Sequence, residues 1–187
     1  MKFFFHFAVF GFSNTYLVGP EQAGEAILID PGVMDVELLK LIEKNNYYIT
    51  TILVTHSHIA HIRGITTLLK VYNARLYGGL PRILDFESVK LKEGDEPTLA
   101  GFKIQVIEIP GHSSDSLVYR IGDMLFTGDA LGAGRIGDTP NGYAHSILLS
   151  TIKEKLLPLE ENLLIFPGHG PPSTLKVEKL FNPAFEK

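Results

Sequence analysis

The chain carries seven histidines in 187 residues, and five of them stand in short segments that each follow an apolar run. Val54 leads into Thr55-His56-Ser57-His58-Ile59-Ala60-His61, Ile109 into Pro110-Gly111-His112, Thr127 into Gly128-Asp129, and Phe166 into Pro167-Gly168-His169. Imidazole and carboxylate are ligands for a catalytic Zn²⁺ or Fe²⁺, which takes three or four N/O donors and keeps a position open for water. His56 and His58 are near enough in sequence to reach one ion, His61 points elsewhere and could serve a second, and the two oxygens of Asp129 could bridge them. One His after a glycine would carry little information, but three in six residues have no packing rationale. The glycine before His112, Asp129 and His169 permits turn dihedrals closed to other residues, so strand ends can converge on one point. His6 and His145 are read as ordinary residues. The chain has no Cys, which removes thiolate metal sites, iron–sulfur clusters, disulfides and cysteine nucleophiles, so any metal must be held by His and carboxylate.

The donors need strands that end together. Residues 3–10, 14–18 and 25–30 read as strands rich in Phe, Val and Ile, an antiparallel opening. Leu38, Leu41 and Ile42 recur at helical spacing over 35–44, residues 49–54 form a buried-looking strand, and Ile65, Leu68, Leu69 and Tyr72 share a stripe of a helix over 62–72. A hairpin turning near Gly101 is expected over 99–109, then strands at 116–121 and 124–127. Ala144, Leu148, Ile152 and Leu156 form a helical ladder that stops at Pro158, before a strand at 163–166 and a helix at 174–181. Strands and helices alternate without a linker, charge block or repeat, so a single domain over 1–187 is expected, with helices packed outside two sheets.

Composition excludes several functions. Lys plus Arg number 17 against 21 Asp plus Glu, a net charge of −4, and no basic run offers a phosphate backbone a track, so nucleic acid is not expected as a partner. No apolar stretch approaches the roughly 20 residues of a membrane-spanning helix, and no small-x-small cleavage site follows residues 1–10. A soluble, cytoplasmic protein without a membrane partner is expected.

With these motifs in hand, the chain resembles the metallo-β-lactamase superfamily, and within it the small glyoxalase II-like hydrolases. The matching stretches are ILIDPG at 27–32, THSHIAHIRG at 55–64, IPGHSSDS at 109–116, LFTGDALGAGR at 125–135, FPGHGPPST at 166–174, and Asn182-Pro183. The resemblance implies an α/β fold, a four-layer αββα sandwich with the metal site at one sheet edge. It implies zinc, one or two ions, with iron or manganese as alternatives. His56, His58 and His112 would hold the first ion, His61 and His169 the second, and Asp129 both, with Asp30 close behind the ligands as a supporting carboxylate.

Three departures qualify that carry-over. The family pattern is H-x-H-x-D-H, and Ala60 stands where the Asp belongs, which removes an oxygen donor from the second site only. Asp115 stands in the third motif as an extra carboxylate and is read as solvated. Only 18 residues follow His169, against the added helical domain of two-domain glyoxalase II enzymes. Substrate recognition is therefore expected from loops at 78–97 and 130–145, where Arg135 could pair with an anionic group. The expected activity is hydrolysis of a small-molecule thioester or related ester by a metal-activated water. The alternatives are a mononuclear-iron oxidoreductase of the persulfide dioxygenase type and a non-catalytic binding member.

Overall fold

The structure, a computed structural model, describes residues 1–186 and divides into two units, Met1–Leu91 with Thr98–Phe102, and Lys92–Pro97 with the residues from Lys103 onward. In the first unit, strands β1 (Lys2–Ala8) and β2 (Ser13–Gly19) make an antiparallel hairpin, and β2 pairs antiparallel with β3 (Gly24–Ile29). From β3 the sheet continues in parallel through β4 (Tyr47–Leu53), β5 (Arg75–Gly78) and β6 (Val89–Lys90). Parallel neighbours need crossovers, and the amphipathic stretches supply them. Helix α1 (Val36–Lys44) begins at Asp35, whose Oδ1 accepts from the Leu38 amide at 2.9 Å. Leu38 and Ile42 of α1 are buried in one cluster with Leu17, Leu28, Ile49 and Ile52 of the sheet.

The expected helix over 62–72 is instead two pieces, α2 (Ile59–Ile62) and α3 (Ile65–Val71). The break falls at Gly64, whose amide is spent on the Pro31 carbonyl at 2.9 Å rather than inside a helix. A Cβ there would lie 2.5 Å from that same oxygen, so the close approach demands glycine. Strand β1 also stops earlier than expected, at Ala8 rather than residue 10, because Gly11 (φ 73°) and Phe12 (φ 53°) turn the chain into β2.

In the second unit β7 (Gln105–Glu108), β8 (Leu117–Ile121) and β9 (Met124–Gly128) form an antiparallel meander. Strand β10 (Leu164–Pro167) adds parallel to β9, and β11 (Ser173–Thr174) closes the sheet. Helix α4 (Gly142–Thr151) runs into a π-helical turn over Ile152–Leu156 that ends before Pro158. Leu148, Ile152 and Leu156 are buried with Val118, Leu125 and Ile165. Helix α5 (Leu175–Phe181) starts at Thr174, whose hydroxyl accepts from the Val177 amide. The turn expected near Gly101 is present, with Ala100 and Gly101 at φ 47° and 80°. Among the described residues no helix is long and apolar enough to cross a membrane.

Strand direction decides where the chemistry sits. Strands β3 and β4 are parallel, so Asp30 and residues 55–61 leave the first sheet at one edge. Strands β7, β9 and β10 share one direction, because β8 is antiparallel to both its neighbours and β10 is parallel to β9. His112, Asp129 and His169, each one to four residues past a strand end, therefore leave the second sheet at a single edge. Ligand sites in open sheets with parallel strands form at such carboxyl ends.

Candidate metal centre

In the first unit the three histidines of the 55–61 segment are gathered into one cluster. The His56 ring lies 4.6 Å from the His58 ring and 4.4 Å from the His61 ring, centroid to centroid. His56 and His61 are buried and His58 is exposed. Beneath them Asp30 is 1% exposed and accepts from the Thr55 amide at 2.8 Å and the Thr55 hydroxyl at 2.6 Å. Its Oδ2 is also 3.3 Å from His61 Nδ1, while Thr55 Oγ1 lies 3.2 Å from His56 Nδ1. One buried carboxylate thus stands against two imidazoles, His61 at ion-pair distance and His56 through Thr55. Metal-ligating histidines depend on such partners for tautomer and aim.

Asp30 holds this position in the left-handed region, at φ 51°. Its amide donates to Leu53 O at 3.0 Å, and its carbonyl accepts from Thr15 Oγ1 and the Gly32 amide, both at 2.8 Å. Burial raises the Tyr16 phenol far above its ordinary range, opposed by the bond from Asn14 and reinforced by the Asp30 charge, so Tyr16 stays neutral.

In the second unit Asp129 Oδ2 is 3.6 Å from His112 Nε2 and 3.4 Å from His169 Nε2, so one carboxylate oxygen faces two imidazoles. His112 Nδ1 lies 2.6 Å from the Asp138 carbonyl. A carbonyl only accepts, so Nδ1 is the donor of this contact and Nε2 is the ring nitrogen that faces Asp129. Gly137 makes that approach feasible: a Cβ there would fall on the Asp129 carbonyl oxygen and come within 3.1 Å of His112 Nδ1. Gly168 donates to Gly128 O at 2.7 Å and sets the His169 turn beside the Asp129 turn.

Gly111 carries His112 past helix α4. At φ 131°, with a Cβ placed 2.5 Å from Leu148 Cβ and 2.7 Å from Ala144 O, it admits no side chain. Gly111→Ala is expected to cost about 2 kcal/mol by overpacking and strain, a fall of about 4–8 °C in Tm by thermal denaturation. An unchanged Tm would show that α4 yields to the methyl group.

Arg135 lies on a short ribbon pairing Leu131–Gly132 with Arg135–Ile136, and its exposed guanidinium is 3.3 Å from Asp138 Oδ2. The residue that orients His112 through its carbonyl therefore engages Arg135 through its side chain. Asp115, expected in solvent, is instead buried at 7% exposure, because Ser113 and its hydroxyl fold back onto the carboxylate within the turn after His112. Thr55 and Glu178 were not singled out by type or spacing. Glu178 is 1% exposed and accepts from the Gly134 amide at 2.9 Å, Asn182 Nδ2 at 2.7 Å and the Ser173 hydroxyl, which pins the 131–136 ribbon to α5. His6, read as ordinary, contacts Asp35 at the start of α1, at 3.2 Å.

As chemistry, the candidate donors are five imidazoles and a carboxylate, with no thiol. That set suits zinc, iron or manganese and excludes a thiolate cluster.

Residues 8–87 and 79–169 match the family described as the Metallo-beta-lactamase superfamily. Hydroxyacylglutathione hydrolase GloC of Haemophilus influenzae is 30% identical over 195 residues, covering 91% of each chain. The crystal structure of ETHE1 from Myxococcus xanthus superposes with a TM-score of 0.88 at 31% identity, over 98% of this chain and 84% of that one. The crystal structure of TTHA1623 in a di-iron-bound form gives 0.80 at 28% identity, over 96% and 98%. The fold of the chain is thereby the metallo-β-lactamase fold. Its matched segments carry all six candidate histidine and aspartate donors, and the chain belongs to the metallo-beta-lactamase superfamily.

Proposed function

We propose that this protein is a metal-dependent hydrolase of a small thioester or related ester. His56, His58 and His112 would hold a first ion and His61 and His169 a second, with Asp129 shared. The observation that carries the reading is the Asp129 carboxylate, one oxygen of which lies within 3.6 Å of imidazole nitrogens assigned to both ions. The thioester rests on the likeness to the hydroxyacylglutathione hydrolase. A divalent ion in such a set supplies an acidified water, with a pKa brought toward about 7, and a Lewis acid for the acyl oxygen.

The residues of the chain do the rest. Asp30 and Thr55 stand against His61 and His56, and the Asp138 carbonyl holds His112 by Nδ1 so that Nε2 faces Asp129. Asp129, as the shared carboxylate, would keep the His112 and His169 sides of the site together about the place of the attacking water. Arg135 pairs with an anionic end of the substrate by exchanging Asp138 for it, an exposed pair that costs little to open.

Because Ala60 withholds a carboxylate from the second set alone, the purified protein is expected to hold close to one tightly bound ion per chain and a second more weakly. Metal analysis after dialysis, together with turnover on a thioester and ester panel, tests the reading. Two equally tight ions would refute the asymmetry, and no hydrolysis by the metal-loaded protein would refute the activity.

The same substitution favours a second reading, an oxidoreductase working with one iron, since that chemistry does not need the second set. One Fe²⁺ per chain with oxygen uptake and no ester hydrolysis would replace the first reading with this one.

A further inference from the structure

The first sheet forks at the edge formed by β6. Strand β5 runs over Arg75–Gly78, yet only Tyr77 and Gly78 meet β6, opposite Val89 and Lys90. The residues before Val89 are engaged elsewhere: Arg82–Ile83 pairs antiparallel with Phe86–Glu87, and the Ser88 amide donates to the Pro81 carbonyl at 3.0 Å. Arg75 and Leu76 therefore pair with β4 on one side, and on the other they border a cleft of about 390 Å³.

The floor of the cleft is apolar. Leu76 is buried in the core that α1 shares with the sheet, and Leu69 of α3 and Phe86 pack half-buried against that core. Three polar groups stand among them without partners. Ser88 Oγ is buried and makes no hydrogen bond within the chain, a cost in free energy that a bound donor or acceptor recovers. The exposed Arg75 has the Tyr77 ring 5.8 Å from its guanidinium carbon and no ion pair among the described residues. Glu87 is likewise unpaired, because Arg82, opposite it in the hairpin, donates instead to the Asp85 carbonyl at 3.2 Å. Continued back from Val89, the β5–β6 register would set Arg75 against Glu87. The fork keeps them apart, so a cation and a carboxylate line one cleft without neutralising each other.

We propose that this fork binds a small zwitterion with an apolar side chain, of the free α-amino acid class, with its carboxylate at Arg75, its ammonium at Glu87 and its side chain against Leu69, Leu76 and Phe86. The charges select the class. A monocarboxylate would pair with Arg75 but be repelled by Glu87, and an amine the reverse, so only a molecule that carries both charges satisfies both. The Ser88 hydroxyl adds a hydrogen bond to either charged group. The size agrees, since the cleft lies at the lower end of the about 300–1,000 Å³ of small-molecule sites. None of the candidate metal donors lines it, so the site does not depend on the hydrolase reading.

The test is calorimetric titration of the metal-loaded protein with L-leucine, with amide NMR spectra to place the ligand. Saturable one-site binding is expected. Isocaproate and isoamylamine, which each keep one of leucine's two charges, should bind at least about 10-fold more weakly, the scale of a charge-assisted hydrogen bond. Arg75→Gln and Glu87→Gln replace exposed side chains and should weaken leucine by the same factor at unchanged Tm. Ser88→Ala should weaken it without lowering Tm, because the unliganded protein has no bond to lose there. An amino acid also chelates metal ions, so His112→Ala is the control: leucine binding must survive it, and the amide shifts must fall at 69–76 and 86–89 rather than at 55–61. Absence of saturation overturns the proposal, as do single-charge analogues that bind as tightly as leucine, or binding lost in His112→Ala but kept in Arg75→Gln and Glu87→Gln.

Discussion

Purified His112→Ala and His56→Ala proteins are expected to emerge from dialysis without a tightly bound transition metal and with turnover at the uncatalysed background, whereas His169→Ala keeps its ion. His56 is 1% exposed and its Nδ1 is already committed to Thr55, while His112 is fixed by the Asp138 carbonyl at 2.6 Å. Each is therefore aimed before any ion arrives. Losing a partner that merely orients a ligand lowers metal affinity 10- to 100-fold, so losing the ligand itself should exceed about 100-fold. His169 faces Asp129 from the other assigned set, and its loss should weaken the second ion. Asp129→Ala should impair both, because its one oxygen faces both His112 and His169. Metal content by elemental analysis, read beside kcat on the same samples, checks the pattern. Equal metal loss in His56→Ala, His112→Ala and His169→Ala would mean that the donors act as one indivisible set and that the division between two ions is wrong.

The candidate donors stood out in the sequence because few residue types bind a transition metal and because each candidate follows an apolar strand and a turn. The supports were not legible, for a physical reason. Thr55 and Glu178 are common residue types whose role appears only when the fold closes: Glu178 meets Gly134, Ser173 and Asn182, and no spacing rule links those four. Asp115 misled for the same reason, since a carboxylate in a polar run reads as solvated until the turn after His112 folds Ser113 onto it.

The hairpin shows a different limit. Residues 3–10 are apolar at nearly every position, so the two-residue alternation that separates a buried from an exposed strand face is absent, and the end of β1 could not be placed. The structure separates the faces, burying Ala8 while leaving Phe5 and Phe7 half-exposed. Gly64 broke the expected helix by a contact with Pro31, thirty-three residues earlier, which helical periodicity does not register.

Ala60→Asp asks whether the second donor set is still built for an ion, and the structure adds a condition to the answer. The Ala60 carbonyl is held by Ser13 Oγ at 2.6 Å and its methyl group faces Gly11, so a longer side chain at 60 must leave on the side away from the β1–β2 turn or push that turn outward. His61 is already buried with Nδ1 at 3.3 Å from Asp30, and His169 Nε2 is 3.4 Å from Asp129, so the other donors of this set keep their partners in the variant. An added anionic oxygen among them should tighten the second ion by 10- to 100-fold, roughly 1.4–2.8 kcal/mol, the scale that even an orienting partner reaches. Turnover should rise with it when two ions take part in hydrolysis. A second ion bound without a gain in turnover would mark a one-ion mechanism, to which Ala60 is suited. Metal stoichiometry and kcat must therefore be measured on one preparation. If the variant binds no second ion and its turnover is unaltered, His61 and His169 are not ligands of a common ion, and their imidazoles serve only to pack and orient the Asp30 and Asp129 carboxylates.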